Sequence, residues 1–158
     1  MATNITDNQP YPENYEGLIG VLQDFKSTMG GAVPIVTKIV GYQAEAFENI
    51  NQGDAVYSRS SDGKVGKAIA NATIDQATVA GFAETTKNSG QTVRVIVSGQ
   101  LPSGQTLDAG DLFFLSASSA GSITKVPPTT AGHFLTFVGE AANASQLIAR
   151  IKRPIQLR

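Results

Sequence analysis

The chain has 158 residues, enough to bury a core without covalent staples, and no cysteine, which removes disulfides and thiolate metal sites from consideration. A formal net charge of −1 gives no global electrostatic pull toward nucleic acid or an acidic membrane. No apolar stretch approaches bilayer-spanning length, and the polar start Met1–Asn8 lacks the basic-then-apolar order of a secretory signal.

Residues 1–13 read as an extended, polar lead ending in Pro10-Tyr11-Pro12. A helix is predicted over about 14–29. Asn14 can cap it, Glu13 and Glu16 suit the positive end of its dipole, and Gly30-Gly31 stops it. Tyr15, Leu18, Ile19, Leu22, Phe25 and Met29 recur at helical spacing and make one apolar stripe. Gly17 and Gly20 weaken so short a helix by about 1 kcal/mol each, so the stripe must be stabilised by docking. Tyr11, Tyr15, Leu18, Ile19, Leu22 and Phe25 are therefore the candidate partner-binding residues.

From Val33 the period changes. Pro34–Val40 is β-branched and reads as a strand, and Ala44–Glu48 could hold one helical turn in the connector that follows. Charge changes too. Residues 1–50 carry six acids against Lys26 and Lys38, whereas Arg150, Lys152, Arg153 and Arg158 crowd the last nine residues with no acid among them. The two parts should attract each other, within a chain or between neighbours.

Residues 51–158 read as one β domain built from two similar halves, 53–101 and 110–157. Each half opens on a Gly-Asp turn running into an apolar strand, Gly53-Asp54-Ala55-Val56-Tyr57 and Gly110-Asp111-Leu112-Phe113-Phe114-Leu115. Ala80–Ala83 answers to Val138–Ala141, Arg94-Val95 to Arg150-Ile151, and Gln100-Leu101 to Gln156-Leu157. Ser60–Gly63 is a turn, Thr78–Glu84 a strand around Gly81, and Val93, Val95 and Val97 alternate with Thr92, Arg94, Ile96 and Ser98, one face apolar and the other mixed. Phe113–Leu115 is a continuous apolar run, predicted to be covered on both sides. Ile123–Val126, Phe134–Gly139 and Leu147–Lys152 follow as strands, with Pro154 limiting further pairing. Short strands separated by Gly/Ser/Asn turns imply a mainly β fold, an antiparallel sandwich or barrel, with an N-terminal arm over 1–50 carrying the one helix.

Chemistry finds little purchase here. His133, the single histidine, follows a turn. Ser116, Ser118 and Ser119 are available nucleophiles and an orienting carboxylate would also be needed, but a solvent-facing histidine is ordinary in such a turn, so no enzyme activity is expected. Gly63–Ala68 faintly resembles a phosphate loop but has the wrong spacing and lacks the hydroxyl after lysine. Asp54 and Asp111 are lone carboxylates after glycine, suited to binding local backbone amides rather than calcium. No cofactor, metal or nucleic-acid ligand is expected, and the basic group near the end has no aromatic neighbour.

Several stretches carry a family resemblance. The lead Pro10–Ile19, the two Gly-Asp modules, the stretches Thr129–Gly132 and Val138–Ala141, and the ending Ile151–Leu157 together resemble tailed-bacteriophage virion proteins. They are similar to capsid decoration (cement) proteins and to β-rich tail-fibre modules. The resemblance implies a structural virion component on the capsid surface, often trimeric, whose partner is the major capsid protein. Its alternative is a tail-fibre, spike-base or adaptor module, from which this chain departs by lacking a long repetitive shaft.

Overall fold

From Val40 onward the regular structure of the chain is mainly antiparallel strands joined by turns. The computed structural model describes residues 38–158. Tyr11, Tyr15, Leu18, Ile19, Leu22 and Phe25, and the helix over 14–29, lie outside the described residues.

The strands are β1 (Val40–Glu45), β2 (Ala55–Ser58), β3 (Val65–Lys67), β4 (Gly81–Ala83), β5 (Thr92–Pro102), β6 (Leu112–Leu115), β7 (Ile123–Thr124), β8 (Phe134–Leu135), β9 (Phe137–Asn143), β10 (Gln146–Arg150) and β11 (Ile155–Gln156). A single helical turn, α1, occupies Ile74–Ala77. Nine strands share one sheet in the order β3-β2-β4-β5-β10-β9-β6-β7, with β1 also paired to β5, while β11 and β8 form a two-stranded sheet. The large sheet curls into a half-barrel, as the mainly β expectation requires.

Two apolar clusters hold it together. The larger gathers Ala55, Tyr57, Phe82, Ile96, Leu101, Phe113, Leu115, Val138 and Leu147. The smaller gathers Ala46, Ile50, Val56, Val65, Ala83, Val93 and Val95. Strand β2 contributes to both, as do β4 and β5, so it is covered on its two faces. The prediction had given that place to Phe113–Leu115. Phe113 and Leu115 are indeed buried, but Phe114 is half-buried, packed edge-on against Phe137 at 5.9 Å, and Leu112 is exposed.

The second cluster also moves the boundary of the arm. Residues 38–50, assigned by sequence to the arm, are part of the β unit. Strand β1 pairs with β5 from Val40 opposite Ser98 to Glu45 opposite Thr92, and Ala46 and Ile50 are fully buried. The Ala44–Glu48 stretch is consequently not helical: Ala44 and Glu45 belong to β1, Ala46 bridges Val65, and the chain bends at Phe47 and Glu48. The helical turn lies instead at α1, where the Thr73 hydroxyl oxygen accepts the Gln76 N–H at 3.3 Å, a capping geometry.

The two Gly-Asp turns carry the same backbone bonds. Gly53 N–H donates to Ala83 O at 2.8 Å and Ala83 N–H to Asp54 O at 2.9 Å; Gly110 N–H donates to Ala141 O and Ala141 N–H to Asp111 O, both at 2.9 Å. The strands they open also pair alike, Val56 with Gly81 and Phe113 with Gly139. Further along, the correspondence differs from the sequence alignment. Val95 pairs with Ala83, and the residue pairing with Ala141 is Leu147, not Ile151. Beyond β10 the chain crosses Pro154 and pairs again, as β11 against β8.

Candidate interaction surfaces

His133 lies half-buried in an open depression of about 330 Å³ shared with Ser116, Ser118, Val126, Thr129 and Thr130. The Ser116 hydroxyl oxygen accepts the N–H groups of Ser118 and Ser119, each at 3.2 Å, so its orientation is set by the turn. The backbone of His133 is also committed, its carbonyl accepting the Leu157 N–H at 2.8 Å. No carboxylate lines this depression.

Asp54 sits at the rim of a polar cavity of about 140 Å³ bounded by Asn51, Gln52, Ser103, Gln105 and Ser122. Its carboxylate accepts the Asn51 N–H at 2.8 Å and lies 3.8 Å from the Lys67 ammonium. Burial raises its pKa above the usual carboxylate value, opposed by that hydrogen bond and by Lys67. Asp111 makes a different contact: with Asp108 it flanks Lys125, at 3.1 and 2.6 Å. Hydrogen bonds to both carboxylates raise the Lys125 pKa. Among the described residues no three His, Asp or Glu side chains come together as a metal-ligand group.

The lysines of Gly63–Ala68 do not converge on a common point. Lys64 pairs with Glu45 at 2.6 Å and Lys67 faces Asp54, while Gly63, at φ 73°, makes the turn predicted for it. Gly66 is required by packing: a Cβ there would fall 2.2 Å from the Phe47 ring. Phe47 in turn lies under the Arg59 guanidinium, 4.2 Å from the ring centre.

The surface that stands out lies where β1 meets β5. Ile39, Val40, Tyr42 and Val97 are exposed by 44, 47, 40 and 37%. They gather at a β-bulge, where Val40 pairs with Ser98 but Gly41 pairs with Ile96, leaving Val97 as the extra residue. Strand β1 pairs only with β5 among the described strands, so its other edge is open there. Sequence reasoning passed over these residues because a bulge has no signature in an alternating pattern; the β-branched run ending at Val40 was the available signal.

A second surface is basic. Lys152, Arg153 and Arg158 are exposed and make no ion pair with the described residues, and Arg150 reaches Glu140 only at 3.7 Å. The segment is held in place by backbone bonds, Lys152 N–H to Phe137 O at 2.9 Å and Leu157 N–H to His133 O. Among the described residues no helix is long and apolar enough to cross a membrane.

No protein-family model matches the chain, and no curated protein matches it.

Proposed function

We propose that this chain is a structural, non-enzymatic component of a tailed-bacteriophage virion. It decorates the capsid surface and braces neighbouring copies of the major capsid protein, itself assembled as an oligomer with a trimer favoured. The observation that carries the reading is the exposed apolar group Ile39, Val40, Tyr42 and Val97 at a strand whose one neighbour among the described strands is β5. An edge strand offers main-chain donors and acceptors to another protein, and apolar side chains beside it reward close packing. That suits a protein whose work is lateral contact. The family resemblance of the Gly-Asp modules and of the proline-led N-terminal stretch supports the same reading.

The test is the copy number of the chain in purified particles, measured by quantitative mass spectrometry against the major capsid protein. A ratio near one per capsid subunit is expected. A ratio of a few per cent would move the protein to the tail, as a fibre, spike-base or adaptor module. Absence from particles would overturn both.

A further inference from the structure

We propose that the basic segment around β11 is the docking site for the acidic N-terminal segment of a second copy of this chain. The inference rests on the oligomeric half of the reading above and not on the capsid.

Three observations meet at this place. Arg150, Lys152, Arg153 and Arg158 carry four positive charges with no acid between them, and the last three have no carboxylate partner among the described residues. The segment is also fixed. Strand β11 pairs Ile155 with Leu135 and Gln156 with Phe134, and Gly132 N–H and Leu157 O close the ladder at 2.9 Å. Its charges are therefore presented from a set position, which lowers the entropy lost when a partner binds. Finally, β11 has a single strand neighbour among the described residues, and Ile155 is 63% exposed on it. An open edge, one apolar anchor and flanking cations fit an extended acidic segment added as a further strand.

The chain itself contains an acidic segment, of which the lead over 1–13 is the part expected to be extended. Residues 1–37 hold Asp7, Glu13, Glu16 and Asp24 against Lys26 alone. The described unit, in contrast, carries the excess of bases. Contact between the acidic segment of one copy and β11 of the next joins two different surfaces. A head-to-tail contact of this kind closes into a ring when its rotation allows, the geometry a trimer requires. Opposite charges across it set register and speed encounter, and salt should weaken it.

The experiment uses the full-length chain and reads mass in solution by light scattering at low and high salt. The expected result is an oligomer whose dissociation constant rises by about tenfold or more between low and high salt. Variant A carries Lys152→Glu, Arg153→Glu and Arg158→Glu; variant B carries Asp7→Lys, Glu13→Lys and Glu16→Lys. Each alone should be monomeric with an unchanged circular dichroism spectrum, and a one-to-one mixture should associate as A–B complexes, because A's acidic tail meets B's basic lead. Unchanged oligomerisation of either variant overturns the proposal, as does failure of two folded variants to associate. A monomer at every salt concentration also overturns it. If a variant unfolds, the salt dependence of the unaltered chain decides: an oligomer indifferent to salt overturns the proposal. Because no particle is involved, failure here leaves the copy-number test of the capsid reading untouched.

Discussion

A Cβ placed on Gly53 would lie 2.4 Å from the carbonyl oxygen of Ser103, so the first Gly-Asp turn and the turn after β5 touch backbone to backbone. Gly110 has nearly the same conformation, φ 85° against 83°, but open space where its side chain would go. The two glycines thus separate conformational strain from crowding. Gly110→Ala should cost about 1–2 kcal/mol for the left-handed backbone alone. Gly53→Ala adds overpacking against rigid backbone and should cost about 2–5 kcal/mol in total. Urea unfolding of the two variants measures the difference, and equal losses would show that the contact with Ser103 is loose.

The boundary of the β unit gives a second prediction. A chain starting at Lys38 keeps β1 and the buried Ala46 and Ile50; one starting at Asn51 loses all three. Burying Ile50 alone is worth about 1.5–3 kcal/mol, and β1 pairs beside Val93 and Val95, with Ala44 packed against their cluster. The longer fragment should unfold cooperatively, and the shorter should lose at least about 3 kcal/mol or fail to fold. A shared denaturation midpoint would return residues 38–50 to the arm.

Why the sequence misplaced that boundary is instructive. Val40-Gly41-Tyr42-Gln43-Ala44-Glu45 has no alternation to report, because β1 is exposed along nearly its whole length. Periodicity signals burial on one side, and a strand buried on neither side is silent. The alternation of β5 was legible at Val93 and Val95 but not past them. Ile96 and Leu101 lie in the same cluster across an odd spacing, and the bulge at Val97 supplies the missing residue. Turns were easier to read. Gly53, Gly63 and Gly110 all adopt positive φ, since only a residue without Cβ takes that conformation cheaply. The α1 turn had its signal in Thr73 and Gln76 three residues on, a pattern short enough to lose in a chain rich in threonine. The candidate contact residues Tyr11 to Phe25 lie outside the described residues, whereas the apolar group at the bulge depends on a pairing irregularity no spacing announces.

Two aspartates should move stability with pH in opposite directions. The Arg59 hydrogen bond lowers the Asp62 pKa to about 2. Asp62 therefore contributes stability above its unfolded value of 3.8, and this is lost as pH falls toward about 2. Burial raises the Asp54 pKa, so its ionised form opposes folding. The corresponding contribution is complete below 3.8 and is lost as pH rises through the raised value. Relative to the unaltered chain, Asp54→Asn should become more stable as pH rises from acid to neutral, and Asp62→Asn less stable. Urea midpoints at several pH values check both slopes; a flat difference for Asp54→Asn would mean that Lys67 and the Asn51 amide cancel its burial.

The functional reading is most exposed at Leu18 and Leu22. The predicted helix over 14–29 places both on one apolar stripe, and an aspartate at each would put charge where apolar contact is needed, a change severe enough to abolish docking. Neither residue belongs to the described β unit, so the double variant Leu18→Asp with Leu22→Asp should leave the urea transition of that unit within about 0.5 kcal/mol of the unaltered chain. Its attachment to capsids lacking the wild-type protein, assayed by co-sedimentation, should fall to background. Normal attachment of the double variant would remove the arm from the interface and leave the exposed group on β1 as the surface that must carry it. Loss of both attachment and the unfolding transition would instead make the stripe a structural element of the fold, and the interface would have to be sought elsewhere.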